Sequence, residues 1–568
     1  MRKFIKVFGA ITVLCLLTGT VALAQVQLVD HEEFLSGGAT EPDLEALTAG
    51  ATSATGTGSP PRVGPNTQAN APQAAFPNGL LGRSETTIAA AGNGLHLVAG
   101  WNDAQGFCGP PFAGACTPQT PSGLSGYGFS SDGGLTWTDG AAPPNFNNVF
   151  TRGDPWLDVG GKNGNTFYYA NLAVDATSGA DLGISVHRGR FTGNAFAWFD
   201  VRTFDSPHNQ DPCDFFGEPA ACDFYDKEAL VASKDGSKAV YVSLTNFQEI
   251  CGIAQFGFGQ IEVWRSHNGG NTWQGPAIAG PEAADSVAAC GFTGTLQQSS
   301  VPAIGPNGEV YVVWQFGPTF TAATSTDADI VVARSLDGGV TFDPPVKVAD
   351  INSLRQNPPV GYNRSRINDH PRIAVATSGP NRGRVYVTFY SAVSPVAAGS
   401  TVQSLVSSQV FVSYSDDRGL TWSVPVPVAP APPATGIKRF WPVVTVEPGG
   451  NVDVIYYESQ ERQATPNPTD EECNISIGGG LRRRGRNSSL VDTFWAQSTN
   501  GGATFGTPVK VSTATSNWCT AVSNIRPNFG DYIGSAAGGD RVFPVWADGR
   551  NGVPDTFFAN ILGAGKSK

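Results

Sequence analysis

Methionine is all but missing from the 568 residues: there is one, and strong helix formers never gather into long runs. Fold classes built on long helices are therefore poor candidates. Beyond the first two dozen residues, no apolar stretch approaches the 18 or so residues of a spanning helix. Positive charge is scarce, with 36 Lys and Arg against 48 Asp and Glu and a formal net charge of -12. That field disfavours nucleic acid and anionic membrane as partners. A local arginine cluster can still hold an anionic sugar. The nine cysteines include no C-x-x-C pair, and the six histidines form no metal-ligand pair. Zinc and thioredoxin-like sites are thus poorly supported, and no EF-hand spacing occurs.

Glycine (69) and proline (41) are abundant, as suits many short strands joined by turns. Residues 1–24 read as a secretory signal peptide: Arg2, Lys3 and Lys6 precede the apolar run Val7 to Leu17, and Ala22-Leu23-Ala24 offers the cleavage site. Its removal moves the net charge from -12 to -15. The expected location is outside the cytoplasm. Residues 25–82 read as a flexible Gly/Pro/Ser/Thr-rich lead-in. The folded body is expected over 83–562, with 563–568 as a tail.

One octapeptide, Ser-x-Asp/Asn-x-Gly-x-Thr-Trp/Phe, occurs five times: Ser130–Trp137, Ser266–Trp273, Ser335–Phe342, Ser415–Trp422 and Ser498–Phe505. Each copy lies between two short apolar runs, which is the pattern of a β-hairpin. The Asp or Asn can accept hydrogen bonds from its own turn, and the Gly suits a backbone with φ > 0. This pattern resembles the Asp-box, or BNR repeat, of the sialidase-like β-propellers. The resemblance covers about residues 83–562 and implies an all-β propeller of radial four-stranded blades.

Seven units can be counted, beginning near Glu85, Asp154, Asp226, Val301, His370, Trp441 and Tyr532. Box spacings of 136, 69, 80 and 83 residues place two units in the first gap, with an eroded box between Ser185 and Trp198. Sialidases themselves have six blades. The seventh unit ends before any box, so the segment before Glu85 is the expected donor of its outer strand. In such a ring the box turns share one face with short turns, and the long loops gather on the other. All eight cysteines outside the leader fall in those long loops. Of 105 connectivities, the expected pairs are Cys108 with Cys116, Cys213 with Cys222, Cys251 with Cys290, and Cys473 with Cys519.

The resemblance also implies a chemistry: arginines clamp a sugar carboxylate, a Tyr–Glu pair supplies the nucleophile, and an Asp serves as acid/base. Tyr532, Glu228 and Asp103 are the catalytic candidates, with Arg83, Arg372, Arg439 and Arg526 as substrate ligands. The family's Arg-Ile-Pro signature is missing; the corresponding stretch reads Gly82-Arg83-Ser84-Glu85. Asp154, Asp226, Asp369 and Asp531 stand at the first strands of their units. They are candidates to ring the axis and hold a structural Ca²⁺, or to cap strand ends. No other cofactor is expected. The implied function is extracellular glycan recognition, with exo-α-sialidase activity as its enzymatic form and a non-catalytic adhesion or protein-interaction platform as the alternative.

Overall fold

The structure, a computed structural model, describes residues 62–73, 80–108, 123–161, 164–207, 224–247, 259–281, 295–319, 327–355, 357–364, 366–394, 406–433, 436–462 and 488–563. All of them belong to the compact unit Ser36–Lys568. The expected leader lies outside the described residues. So do the side chains of every cysteine but Cys519, which is disulfide-bonded. The proposed pairings therefore also lie outside them.

Seven antiparallel sheets follow one another in chain order. Their innermost strands are Arg83–Ala90, Val149–Gly160, Phe224–Ala232, Thr295–Ile304, Arg372–Val375, Ile437–Val446 and Gly534–Gly538. Each packs on the next, and Gly534–Gly538 packs back on Arg83–Ala90, so the ring closes. The fold is a seven-bladed β-propeller. Among the described residues, helix is confined to 3-10 turns, and no helix is long and apolar enough to cross a membrane.

The core lies between adjacent blades. Between blades 3 and 4, for example, Tyr241, Val263, Val312 and Trp314 are buried together. Full burial of such side chains contributes roughly 1.5–3 kcal/mol each. The Asp-boxes complete these seams on one face. In the first box, Asp132 accepts the Thr136 N–H at 3.0 Å and the Ser130 hydroxyl at 2.7 Å, and Ser130 Oγ accepts the Gly134 N–H at 2.9 Å. The other four boxes repeat this design. Their Asp and Asn side chains are turn-formers.

The box glycine has a second role. A Cβ on Gly270 would lie 3.4 Å from Tyr168, one on Gly339 2.9 Å from Tyr241, and one on Gly502 3.0 Å from Tyr386. Those tyrosines stand on the second strand of the preceding blade. A ring from one blade thus slides under the hairpin of the next, and at Gly339 and Gly502 a Cβ would crowd it. Blade 2 lacks the box; Thr192 and Ala195 pair directly across a two-residue turn with Gly193 at φ +59.

The last blade is composite. Asp555–Phe558 and Ile561–Leu562 form its third strand. Its outer edge comes from the other end of the chain, where Arg62 pairs with Leu562, Val63 with Ile561, Thr67 with Phe558 and Gln68 with Phe557.

Between blades 1 and 2, Tyr127, Tyr169, Phe196 and Trp198 pack in one cluster. His187 is fully buried edge-on to Trp198 and contacts the Pro144 carbonyl through Nε2 at 3.2 Å. Burial pushes its imidazole from 6.5 down to about 4. The folded state therefore binds fewer protons than the unfolded one below pH 6.5, and stability is lost as pH falls toward 4. A neutral His187→Gln should lose about 2–3 kcal/mol less than the parent between pH 7 and 4.5. Urea unfolding at both pH values measures this, and equal losses would refute it.

Candidate functional site

The inner strands carry a repeated irregularity. Pairing with the second strand slips between Ser84 and Thr87, Gly153 and Trp156, Asp226 and Ala229, Gln298 and Val301, and Phe440 and Val443. Two residues before pairing resumes stand Glu85, Asp154, Lys227, Ser299 and Trp441, all left-handed, with φ between 46 and 64. Non-glycine residues in that conformation cost about 1–2 kcal/mol each. Strain repeated at one level of a ring marks that level as special. In blades 5 and 7, His370 and Tyr532 hold the same offset before Arg372 and Gly534, where pairing begins.

These positions meet on the axis, at the end where the long connections enter. The Lys227 ammonium lies 3.0 Å from Glu85, 2.9 Å from Asp154 and 3.1 Å from Asp531. Asp531 also receives Arg364 Nη1 at 2.8 Å, the Tyr362 hydroxyl at 2.8 Å and the Asn368 amide at 3.0 Å. Asn102 donates to Glu85 at 2.8 Å, and its oxygen accepts the Asp154 N–H at 3.0 Å. Tyr362 is held in place by aromatic packing on Trp441 and Trp518.

Charge is divided unequally in this cluster. Burial, then Asp154, pushes the Glu85 carboxyl well above the usual carboxylate range, with Lys227 only partly opposing. Burial would raise Asp154 too, but the Lys227 ammonium and the Glu85 hydrogen bond hold it below. Burial also acts on Asp531, where Arg364 and Lys227 prevail and keep it ionised. The Glu85 carboxyl, pushed up by burial, thus stands beside Asp154 and Asp531, which the cations of Lys227 and Arg364 hold down.

The residues nominated from sequence are scattered around this cluster. Tyr532 is buried, and its hydroxyl donates to the Pro155 carbonyl at 2.8 Å. Burial, then Glu85 and Asp154, pushes its phenol well above 10. Glu228 is buried with no side-chain partner for its oxygens among the described residues, and burial, then Asp154, holds its carboxyl well above the usual range. Arg83 and Asp103 are cross-strand partners, joined at 2.8 Å. Arg439 and Glu458 repeat that arrangement in blade 6 at 2.8 Å. Arg526 is half-buried ahead of the loop that carries Asp531. Only Arg372 lies against Tyr532, 5.1 Å above its ring.

Of the four acids nominated for Ca²⁺, Asp154 and Asp531 share the Lys227 ammonium. Asp226 accepts from Gln298 at 2.6 Å, and Asp369 accepts from the Ser353 hydroxyl and the Leu354 N–H. They do not form one ligand set. Among the described residues, the acids close enough to share a metal are Asp327, Asp329 and Asp350. There Lys347 already bridges Asp329 at 2.9 Å and Asp350 at 2.6 Å.

The sequence reading missed Glu85, Lys227, His370, Tyr362 and Arg364. Aligning the seven units on the first residue after the bulge would have placed Glu85, Asp154, Lys227, His370 and Tyr532 in one column. Tyr362 and Arg364 come from a loop and leave no such trace.

No family model matches the chain, and no curated protein matches it. Among solved structures, a protein of unknown function from Dyadobacter fermentans is similar over 88% of this chain and 99% of its own, at 14% identity and a TM-score of 0.39. An α-L-arabinofuranosidase from Fusarium graminearum, in complex with an iminosugar inhibitor, is similar over 69% of this chain and 92% of its own, at 14% identity and a TM-score of 0.38. Trypanosoma rangeli sialidase, in complex with the inhibitor DANA, is similar over 67% of this chain and 53% of its own, at 12% identity and a TM-score of 0.37. The chain itself is a seven-bladed β-propeller with Asp-box hairpins, the design through which its sequence resembles the sialidase-like superfamily.

Proposed function

We propose that this is an exported glycan-recognising propeller that binds on its long-loop face without sialidase-type turnover. The glycan follows from the Asp-box resemblance, and the absence of turnover from the state of Tyr532. A phenol can attack only when a base takes its proton. The Tyr532 hydroxyl is instead spent on the Pro155 carbonyl, and the candidate base Glu228 makes no hydrogen bond to it. The arginines that would clamp a sugar carboxylate are also engaged, since Arg83 and Arg439 each hold a cross-strand acid.

The purified protein should leave a fluorogenic sialoside intact while retaining glycans on an array. Tyr532→Phe should change neither result. Sialoside cleavage that Tyr532→Phe abolishes would overturn the reading.

One observation favours a second reading, hydrolysis by a carboxyl pair. Glu85 and Asp154 meet at the Lys227 ammonium, and burial raises the one carboxyl while the cation lowers the other, the divergence an acid and a base need. Turnover of any aryl glycoside that Asp154→Asn removes, while the fold is kept, would select this reading over the first.

A further inference from the structure

On the opposite face, the propeller axis opens into a well of about 730 Å³. Its mouth is rimmed by the short turns at Gly92, Pro306 and Gly539, and its walls are the seven inner strands. From the floor at Arg372 to the rim at Thr377 is five residues, about 16 Å of extended chain. That volume falls within the range of small-molecule sites.

The floor holds an unusual group. Arg372 is 6% exposed and lines the well. Its guanidinium stacks 4.1 Å over Trp156 and 5.1 Å over Tyr532. One in-plane donor, Nη2, reaches the Ile533 carbonyl at 3.0 Å. Among the described residues it forms no ion pair, and Nε and Nη1 have no hydrogen-bond partner. Every other buried guanidinium named above has an acid or an amide oxygen facing it. His370, packed against both Trp156 and Tyr532, brings no negative charge; burial and the charge of Arg372 keep its imidazole neutral. Desolvation pulls the Arg372 guanidinium down to about 9, so it stays charged at neutral pH without a counter-ion.

We propose that the axial well is a binding site for a small organic carboxylate, with Arg372 on its floor as the anion receptor. Trp156 and Tyr532 pack together against one side of the guanidinium, their centroids 5.6 Å apart, and its unspent edge donors match a carboxylate. One unpaired positive charge suits one negative charge. The half-buried Trp156 ring gives the ligand body a flat apolar contact. At the rim, Lys234 and Arg382 stand among Asp158 and Asp235, so the mouth does not repel an anion outright.

The test compares 4-bromobenzoate with its neutral counterpart 4-bromobenzamide on the wild-type protein by calorimetry. Benzoate should bind with one site per chain and at least tenfold more tightly than the amide. Arg372→Gln should erase that preference, and Arg372→Lys should keep part of it. Because Arg372→Gln can also loosen the floor, wild-type crystals soaked in 4-bromobenzoate give a readout that needs no variant. The bromine anomalous peak should lie inside the well, with the carboxylate on Arg372. Equal affinity for the two compounds, a bromine peak elsewhere, or density without binding in solution would each overturn the proposal. The well opens on the Asp-box face, so the glycan assays on the other face do not decide it.

Discussion

Lys227→Met should destabilise the protein by about 3–5 kcal/mol at pH 7, the usual consequence of leaving buried charges without their partner. Lys227 is 6% exposed, and three acids from three different blades lie within 3.1 Å of its ammonium. Methionine fills similar volume but leaves Asp154 and Asp531 facing each other with one cation fewer. The pH dependence should also change sign. In the parent, both carboxylates sit below their unfolded values, so their contribution is full above about pH 4 and lost as pH falls through the folded values. In the variant, burial dominates, the folded-state values rise, and the penalty grows as pH climbs. The gap between parent and variant should therefore narrow on acidification from pH 7 to pH 4 in urea titrations. Glu85→Gln is the control: burial raises the Glu85 carboxyl, so a neutral amide in its place should cost less than Lys227→Met does. A large loss for Glu85→Gln with a small one for Lys227→Met would reverse this account of the cluster.

Removing residues 62–73 should open the ring. Those residues supply the outer edge of blade 7, with backbone bonds from Gly64 to Asn560 and from Ala69 to Thr556. Asn70 and Gln73 add side-chain bonds to Asp555, and Thr67 accepts the Trp137 indole N–H across the seam to blade 1. At about 1 kcal/mol for each net hydrogen bond, the loss is on the order of 5 kcal/mol before any apolar area is counted. It also bares an unpaired strand edge at Asp555–Leu562, a template for pairing with other chains. Size-exclusion chromatography should show assembly of the truncated protein. A synthetic peptide spanning residues 60–73 should restore the monomer and its melting temperature. A truncated protein that stays monomeric and melts like the parent would show the edge to be dispensable.

The ring and its hairpins were legible because their signals are local. Eight consecutive residues encode an Asp-box, and the Gly that admits a neighbour's tyrosine stands inside the same eight. The axial cluster is not local. Glu85, Asp154 and Lys227 stand at the bulges of three blades and Asp531 in the loop before blade 7, and the bulges set which way the first three face. In a regular strand alternate residues share a side, and the sequence reading nominated Asp226 for the axial ring and Glu228 for catalysis while passing over Lys227. The bulge adds a residue and turns the one between them, Lys227, toward its three acids. Arg83 and Arg439 looked like substrate ligands for a related reason. Each is directly opposite an acid on the neighbouring strand, a pairing that requires the register and not only the sequence. The axial well was invisible in advance, since it is made of strand edges and exists only once seven of them stand around a common axis.

Blade 7 also has a timetable. Its inner three strands leave the ribosome long after the two segments that complete it, Arg62–Val63 and Thr67–Gln68. At roughly 5–20 residues per second, about 25–100 seconds separates the two ends of that sheet. Through that interval the early segment waits without its partner strand, and the blades made in between stand as an open arc. Closing the circle therefore waits for the last blade. A nascent chain held short of Asp555 should remain protease-sensitive around residues 62–73, and should lose that sensitivity only once Leu562 has emerged.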